Sequence, residues 1–334
     1  MARRGMSAFV PEARFMARPP WWGADLQTLR NALVGRAIGL DDYPFERIEF
    51  GAADGSGDKL LGALNRPAGE APPKPLVLLL HGMTGSEDSA YMRASARHFL
   101  GQGYPVLRLN LRGAGPSRPL CRGQYHAGRS EDLRAVLGQM DGRLAGNGLL
   151  MVGFSLGGNI LLRYLGEAGP LAPVVGAAVV SAPIDLKAAQ SRLMAWRNRF
   201  YHRHILAQMK AEISAPASDL GDDERRAVAR ARSVLEVDDR VIAPRNGFAG
   251  AEDYYARCSA NAVVMRIRVP TLVIQARNDP WIPFRSFAEV EWGKNPKLVP
   301  LFPASGGHVG FHALDGSTPW HDRRAAAFFA ALSR

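Results

Sequence analysis

Short, largely apolar runs alternate with longer amphipathic stretches through most of this 334-residue chain. Residues 75–80, 104–110, 149–154 and 174–181 are of strand length and rich in Leu and Val, the pattern of strands covered on both faces. Between them, residues 90–101, 130–140 and 156–166 repeat their apolar positions at helical spacing. Two further apolar runs, 269–275 and 298–302, read as strands late in the chain. This alternation predicts a mostly parallel sheet with helices on both faces. Residues 45–64 read differently, as an opening antiparallel hairpin with strands at 47–50 and 59–63 around Asp54-Gly55-Ser56-Gly57.

Two segments stand outside the alternation. Residues 1–44 form a lead with a short helical pattern near 26–33, expected to pack on the core through Trp21 and Trp22. Residues 186–250 read as a helical insertion of mixed polarity, in which Leu193, Met194, Trp196, Phe200, Tyr201 and Ile205 interleave with arginines. Three readings fit it: a lid that roofs a site at the sheet's carboxyl edge, a basic amphipathic surface resting on a membrane, or an apolar stripe packed on the core. The expected organisation is one α/β domain, with 45–185 and 251–334 as core and 186–250 as a helical lid insertion.

The run 149–154 passes straight into Ser155-Leu156-Gly157-Gly158-Asn159. A strand that ends in Gly153-Phe154-Ser155-Leu156-Gly157 and turns directly into a helix places the serine on a sharp, strained turn, its hydroxyl exposed above the sheet as a nucleophile. Gly153 and Gly157 support that turn by letting neighbouring backbone approach. Such a hydroxyl needs a histidine to take its proton and a carboxylate to hold that histidine. Asp279, followed by Pro280, leaves the 269–275 strand, and His308 lies in the glycine-flanked loop after 298–302. The chain order Ser155, Asp279, His308 is the one this strand–turn–helix arrangement requires. Asp185, after the 174–181 strand, is a rival for the acid. The glycines beside His308 are read as a flexible loop that swings the imidazole over Ser155.

Charge developing on a substrate carbonyl needs two backbone N–H donors. Leu156 supplies one. His81-Gly82-Met83 leaves the buried 75–80 run, and the Met83 amide is expected to be the second, with His81 bonded to nearby backbone in a structural role.

These segments together resemble the α/β-hydrolase superfamily. They are Leu80-His81-Gly82, Asn110-Leu111-Arg112-Gly113, Gly153-Phe154-Ser155-Leu156-Gly157, Arg277-Asn278-Asp279-Pro280 and Gly306-Gly307-His308-Val309-Gly310-Phe311. More narrowly they resemble its YheT-like branch of hydrolases and esterases. Leu26-Gln27-Thr28 resembles the His-Leu-Gln-Thr segment of that branch but has Asp25 in place of the histidine, and Tyr125-His126-Ala127-Gly128 resembles another of its motifs. The resemblance implies cleavage of carboxylic esters, from short-chain esters to monoacylglycerols and phospholipids. Acyl transfer by the same triad and a low-turnover ligand-binding scaffold are the alternatives.

Composition sets limits on this reading. The hydrophobic fraction is 47% and the charged fraction 22%, both ordinary for a globular protein. No apolar stretch approaches the ~18–20 residues of a transmembrane helix. The first twelve residues lack the apolar centre of a secretory signal. Cys121 and Cys258 are too few and too distant for a disulfide framework, so a reducing cytosol is the expected compartment. The net charge is +11, but the arginines are scattered and carry no nucleic-acid motif. A solvated basic surface is expected, with weak attraction to anionic headgroups as the alternative; no nucleic-acid partner is expected, and the oligomeric state stays open. His202 with His204, and His308 with His312, lack the spacing or the glutamate of a metal site, so neither metal nor cofactor is expected.

Overall fold

A computed structural model describes residues 14–34, 38–69 and 72–332. The stretch read for a secretory signal lies outside the described residues. Eight strands form one sheet in the order β1-β2-β4-β3-β5-β6-β7-β8. β1 (Phe45–Gly51) and β2 (Lys59–Asn65) make the antiparallel opening, with Ile48 opposite Gly62. β3 (Leu76–Leu80), β4 (Val106–Leu109), β5 (Leu149–Phe154), β6 (Gly176–Val180), β7 (Thr271–Ile274) and β8 (Leu298–Leu301) are parallel to one another. The ladders begin where donors exist. Pro105 and Pro270 lack an N–H, so β4 and β7 start one residue after each, later than the apolar runs suggest. Pro300 is tolerated inside β8 because that strand is the sheet's edge.

The period of two assigns the core. Leu78 and Leu80 pack on one face with α3 (Ser130–Gly138) and, after the short α4 (Gly142–Ala145) in the chain, α5 (Leu156–Ala168), while Val77 and Leu79 pack on the other with α2 (Ala90–Gly101) and the C-terminal helix Trp320–Leu332. That last helix was not placed by the sequence pattern. Each leucine fully buried here contributes roughly 1.5–3 kcal/mol. Among the described residues, no helix is long and apolar enough to cross a membrane.

Between β6 and β7 the chain is helical, and its buried residues form a third apolar cluster of their own. This cluster holds Leu193, Ile205, Leu206, Met209 and Ile213, and it continues through Tyr254 to Cys258, so the helical segment runs past the expected limit at 250. Met194, Trp196 and Phe200, read as part of the same stripe, face solvent instead. Helical spacing defines a face without saying which face is covered.

The lead also differs from expectation. Trp22 is exposed and Trp21 only half-buried. The helix α1 (Gly23–Val34) docks instead through a polar side chain, the fully buried Gln27. Its Nε2 donates to the carbonyls of Trp21 and His312, and its Oε1 accepts the His312 amide at 2.7 Å.

Candidate active site

The carboxyl ends of β3, β5, β6 and β7 follow one another along the same edge of the sheet, where ligands bind in open α/β sheets. β5 delivers Ser155 with φ 49° and ψ −122°, a conformation that L residues rarely adopt, and α5 begins at the next residue. Only glycines allow this turn to close. A Cβ on Gly153 would stand 2.7 Å from the Gly157 carbonyl oxygen, and one on Gly157 would stand 2.4 Å from the His81 carbonyl oxygen. Ser155 N–H donates to the Val180 carbonyl, which fixes the turn to the neighbouring strand.

Ser155, His308 and Asp279 meet at this edge. His308 Nε2 lies 3.0 Å from Ser155 Oγ, and Nδ1 lies 2.9 Å from Asp279 Oδ2. Asp279 and His308 are both buried. Asp279 Oδ1 accepts the amides of Trp281 and Ile282, and Oδ2 also accepts Gln275 Nε2. The rival carboxylate is used elsewhere: Asp185 Oδ1 accepts the Ala188 amide and caps the helix α6, Leu186–Met194.

The loop that carries His308 is clamped rather than flexible. Thr28 Oγ1 accepts the His308 amide at 2.9 Å, Asn31 Nδ2 donates to the Val309 carbonyl, and Ser181 Oγ accepts the Val309 amide. Its glycines exist for close approach. A Cβ on Gly307 would stand 2.6 Å from the Ala24 carbonyl oxygen, and one on Gly310 would stand 2.5 Å from that of Gln27. Trp281 lies over the His308 ring, centroids 4.3 Å apart, and blocks one side of it.

The loop after β3 faces Ser155. A Cβ on Gly82 would stand 2.9 Å from the Ser155 Cβ. Gly82 N–H donates to the Tyr91 hydroxyl, and Thr84 N–H to the Tyr125 hydroxyl. Between these two anchored amides, that of Met83 donates to no acceptor among the described residues, and the same holds for Leu156 at the start of α5. His81 is buried and bridges backbone. Its Nε2 accepts the Leu111 amide, so its Nδ1 carries the proton and donates to the Gly82 carbonyl at 2.7 Å. Burial pushes its pKa down to about 4, which keeps the ring neutral in this role.

Pattern reading missed Thr28, Asn31, Trp281, Tyr91 and Tyr125. Two signals were present: Thr28 and Tyr125 each sit in a segment already singled out for its resemblance. The insertion reaches the same place, since Met83, Leu156 and Trp281 pack partly against its apolar cluster. Among the described residues, no group of three or more His, Cys, Asp or Glu is placed to hold a metal ion.

A model of the alpha/beta hydrolase fold matches residues 75–312. YheT of Escherichia coli (strain K12), a protein named as an esterase, is 29% identical over 306 residues, covering 91% of this chain and 88% of that one. A medium-chain fatty acid ethyl ester synthase/esterase of Saccharomyces cerevisiae is 31% identical over 281 residues, 76% of this chain and 62% of that longer protein. Among solved structures, the Pyrococcus furiosus esterase Pf2001 shares the fold with a TM-score of 0.56 at 18% identity, over 86% of this chain and 92% of that one.

Proposed function

We propose that this chain, which belongs to the alpha/beta hydrolase fold family on its YheT-like branch, cleaves carboxylic esters through Ser155, His308 and Asp279. One observation carries the reading: the imidazole of His308 lies within hydrogen-bonding distance of both the Ser155 hydroxyl and the Asp279 carboxylate. Relatives named as esterases and ester synthases point to the same bond.

Ser155 Oγ attacks the ester carbonyl carbon as its proton passes to His308 Nε2. The carbonyl oxygen becomes an oxyanion, held by the amides of Met83 and Leu156. Asp279, bonded to Nδ1–H, stabilises the imidazolium. The intermediate collapses, the acyl–alkoxy bond breaks, and the Nε2 proton goes to the departing alcohol. Water then gives a proton to Nε2, attacks the acyl-enzyme and releases the acid with Ser155 restored. The helical insertion acts as a roof. Its apolar cluster, touching Met83, Leu156 and Trp281, offers a dry surface for the acyl chain of a short- to medium-chain or lipid ester.

Ser155→Ala is expected to lower turnover of a p-nitrophenyl ester by more than ~10³-fold and to abolish labelling by a fluorophosphonate probe, with thermal unfolding near wild type. Retained turnover or labelling rejects the assignment. A second reading, transfer of the acyl group to an alcohol, is favoured by the yeast relative named as an ethyl ester synthase. It uses the same serine and is read by product analysis in the presence of added alcohol.

A further inference from the structure

On its outer face α1 carries Leu26, Leu29 and Leu33, spaced as one stripe opposite the docked Gln27 and Asn31. All three are exposed, Leu33 at 67%, and Trp22 just before them is exposed at 61%. In the insertion, Trp196 is exposed at 79% and Phe200, four residues on in α7 (Arg199–Ile213), at 66%. Large apolar side chains left open in this way mark interaction sites when they are grouped. Asp25 groups them: its carboxylate pairs with Arg197 at 3.0 Å and accepts the Tyr201 hydroxyl at 3.1 Å. That joins the start of α1 to the segment bearing Trp196 and Phe200.

The segment that supplies Trp196 and Phe200 is basic. From Leu186 to Ala211 the chain contains Lys187, Arg192, Arg197, Arg199, Arg203 and Lys210 and no carboxylate. Arg199 lies over both exposed aromatic rings, 4.2 Å from the centroid of Trp196 and 4.5 Å from that of Phe200. The carboxylate of Asp25, at the junction, is already paired with Arg197. Indole and phenyl rings capped by guanidinium suit the boundary between acyl chains and anionic headgroups, where the rings insert and the cations stay at headgroup level. The surface also adjoins the active site. The Tyr201 ring meets Trp281 at 5.3 Å, and Trp281 lies on His308.

We infer that the face formed by Trp22, the leucine stripe of α1, Trp196 and Phe200 docks on an anionic lipid surface and presents the Ser155 site to esters held there. The delivery of substrate rests on the esterase reading; the docking itself does not.

The test uses the full chain carrying Ser155→Ala, so that binding is read without turnover, in sedimentation with vesicles of phosphatidylcholine plus phosphatidylglycerol. Trp196→Ser with Phe200→Ser is expected to weaken the partition at least about tenfold, and Leu26→Ser with Leu33→Ser to do the same from the other element. Raised salt is expected to weaken it further. The same pairs in the Ser155 background should hydrolyse soluble p-nitrophenyl acetate as wild type does, which shows the fold intact. Absence of wild-type partition, partition unaffected by both pairs, or equal binding to pure phosphatidylcholine overturns the inference. So does a dimer in light scattering that either pair dissolves, since a second copy then covers the face. Vesicle binding that responds as expected in a chain with no ester turnover leaves the docking standing and rejects only the catalytic reading.

Discussion

Asp279 fills its acceptor capacity: one oxygen takes two backbone amides from the turn it begins, the other takes Gln275 and the His308 ring. The carboxylate is therefore held before any substrate arrives, and it fixes which ring nitrogen of His308 bears the proton. Asp279→Asn keeps the shape but turns an amide N–H toward Nδ1. The ring then protonates on Nε2, the nitrogen that accepts from Ser155 in the proposed mechanism. Turnover of a p-nitrophenyl ester is expected to fall ~10⁴-fold with little change in thermal unfolding. Asp185→Asn is the control, because asparagine caps a helix about as well as aspartate. Its turnover and its melting temperature are both expected to stay near wild type. Loss of turnover in Asp185→Asn alone would reverse the two assignments. The sequence order of serine, acid and histidine was legible, as was the rivalry between the two carboxylates. What separates them is the partner each oxygen finds, and that appears only when β7 and the His308 loop are placed together.

At the level of elements, α1 holds the His308 loop without supplying a side chain to the proposed triad. Thr28 Oγ1 takes the His308 amide and donates to the Ala24 carbonyl, so one hydroxyl ties the loop backbone to the helix. Thr28→Val keeps the volume and removes both bonds. A shift of even ~1 Å in a catalytic group can cost ~10²-fold, so kcat is expected to drop by ~10–100-fold with KM little changed, and Thr28→Ser is expected to restore it. A role in stability alone would lower the melting temperature and leave kcat of the folded fraction at the wild-type value. This clamp was not readable from periodicity. Gln27 is a polar residue on a helix of low overall hydrophobicity, and its partner carbonyl at His312 is 285 positions away. The parallel strands were legible because burial on both faces leaves a continuous apolar run. The insertion was legible as helical, but the outward turn of Trp196 and Phe200 was not, since spacing gives no sign of which side has a neighbour.

Across the whole molecule, buried titratable groups set opposing pH dependences. Burial lowers His81 and His98 to about 4 and His126, His312 and His321 to about 3. It raises Glu212 and Asp238 to about 7 and Asp322 to about 8. An unfolded imidazole titrates near ~6.5, so the stability these histidines confer is complete above that pH and is lost as pH falls toward 3–4. An unfolded carboxyl titrates near ~4, so the stability from the three acids is complete below that value and is lost as pH rises through 7–8. On unfolding near pH ~6.5, five half-protonated imidazoles take up about 2.5 protons and the three acids release about as many, so the two slopes cancel there. The melting temperature of the full chain is therefore expected to peak between pH ~6 and ~7 and to fall on both sides. The two arms have separate owners. His321 and Asp322 stand 3.4 Å apart beneath the Ser155 turn, where His321 meets the Phe154 ring, yet burial drives both toward their neutral forms. Asp322→Asn is expected to make the alkaline arm shallower by the share of one acid in three and leave the acid arm unchanged, and His321→Gln to make the acid arm shallower by the share of one histidine in five and leave the alkaline arm unchanged. Calorimetric scans from pH 4 to 9 read both, and an alkaline arm that stays as steep in Asp322→Asn as in wild type would show that this carboxyl is already ionised in the folded chain.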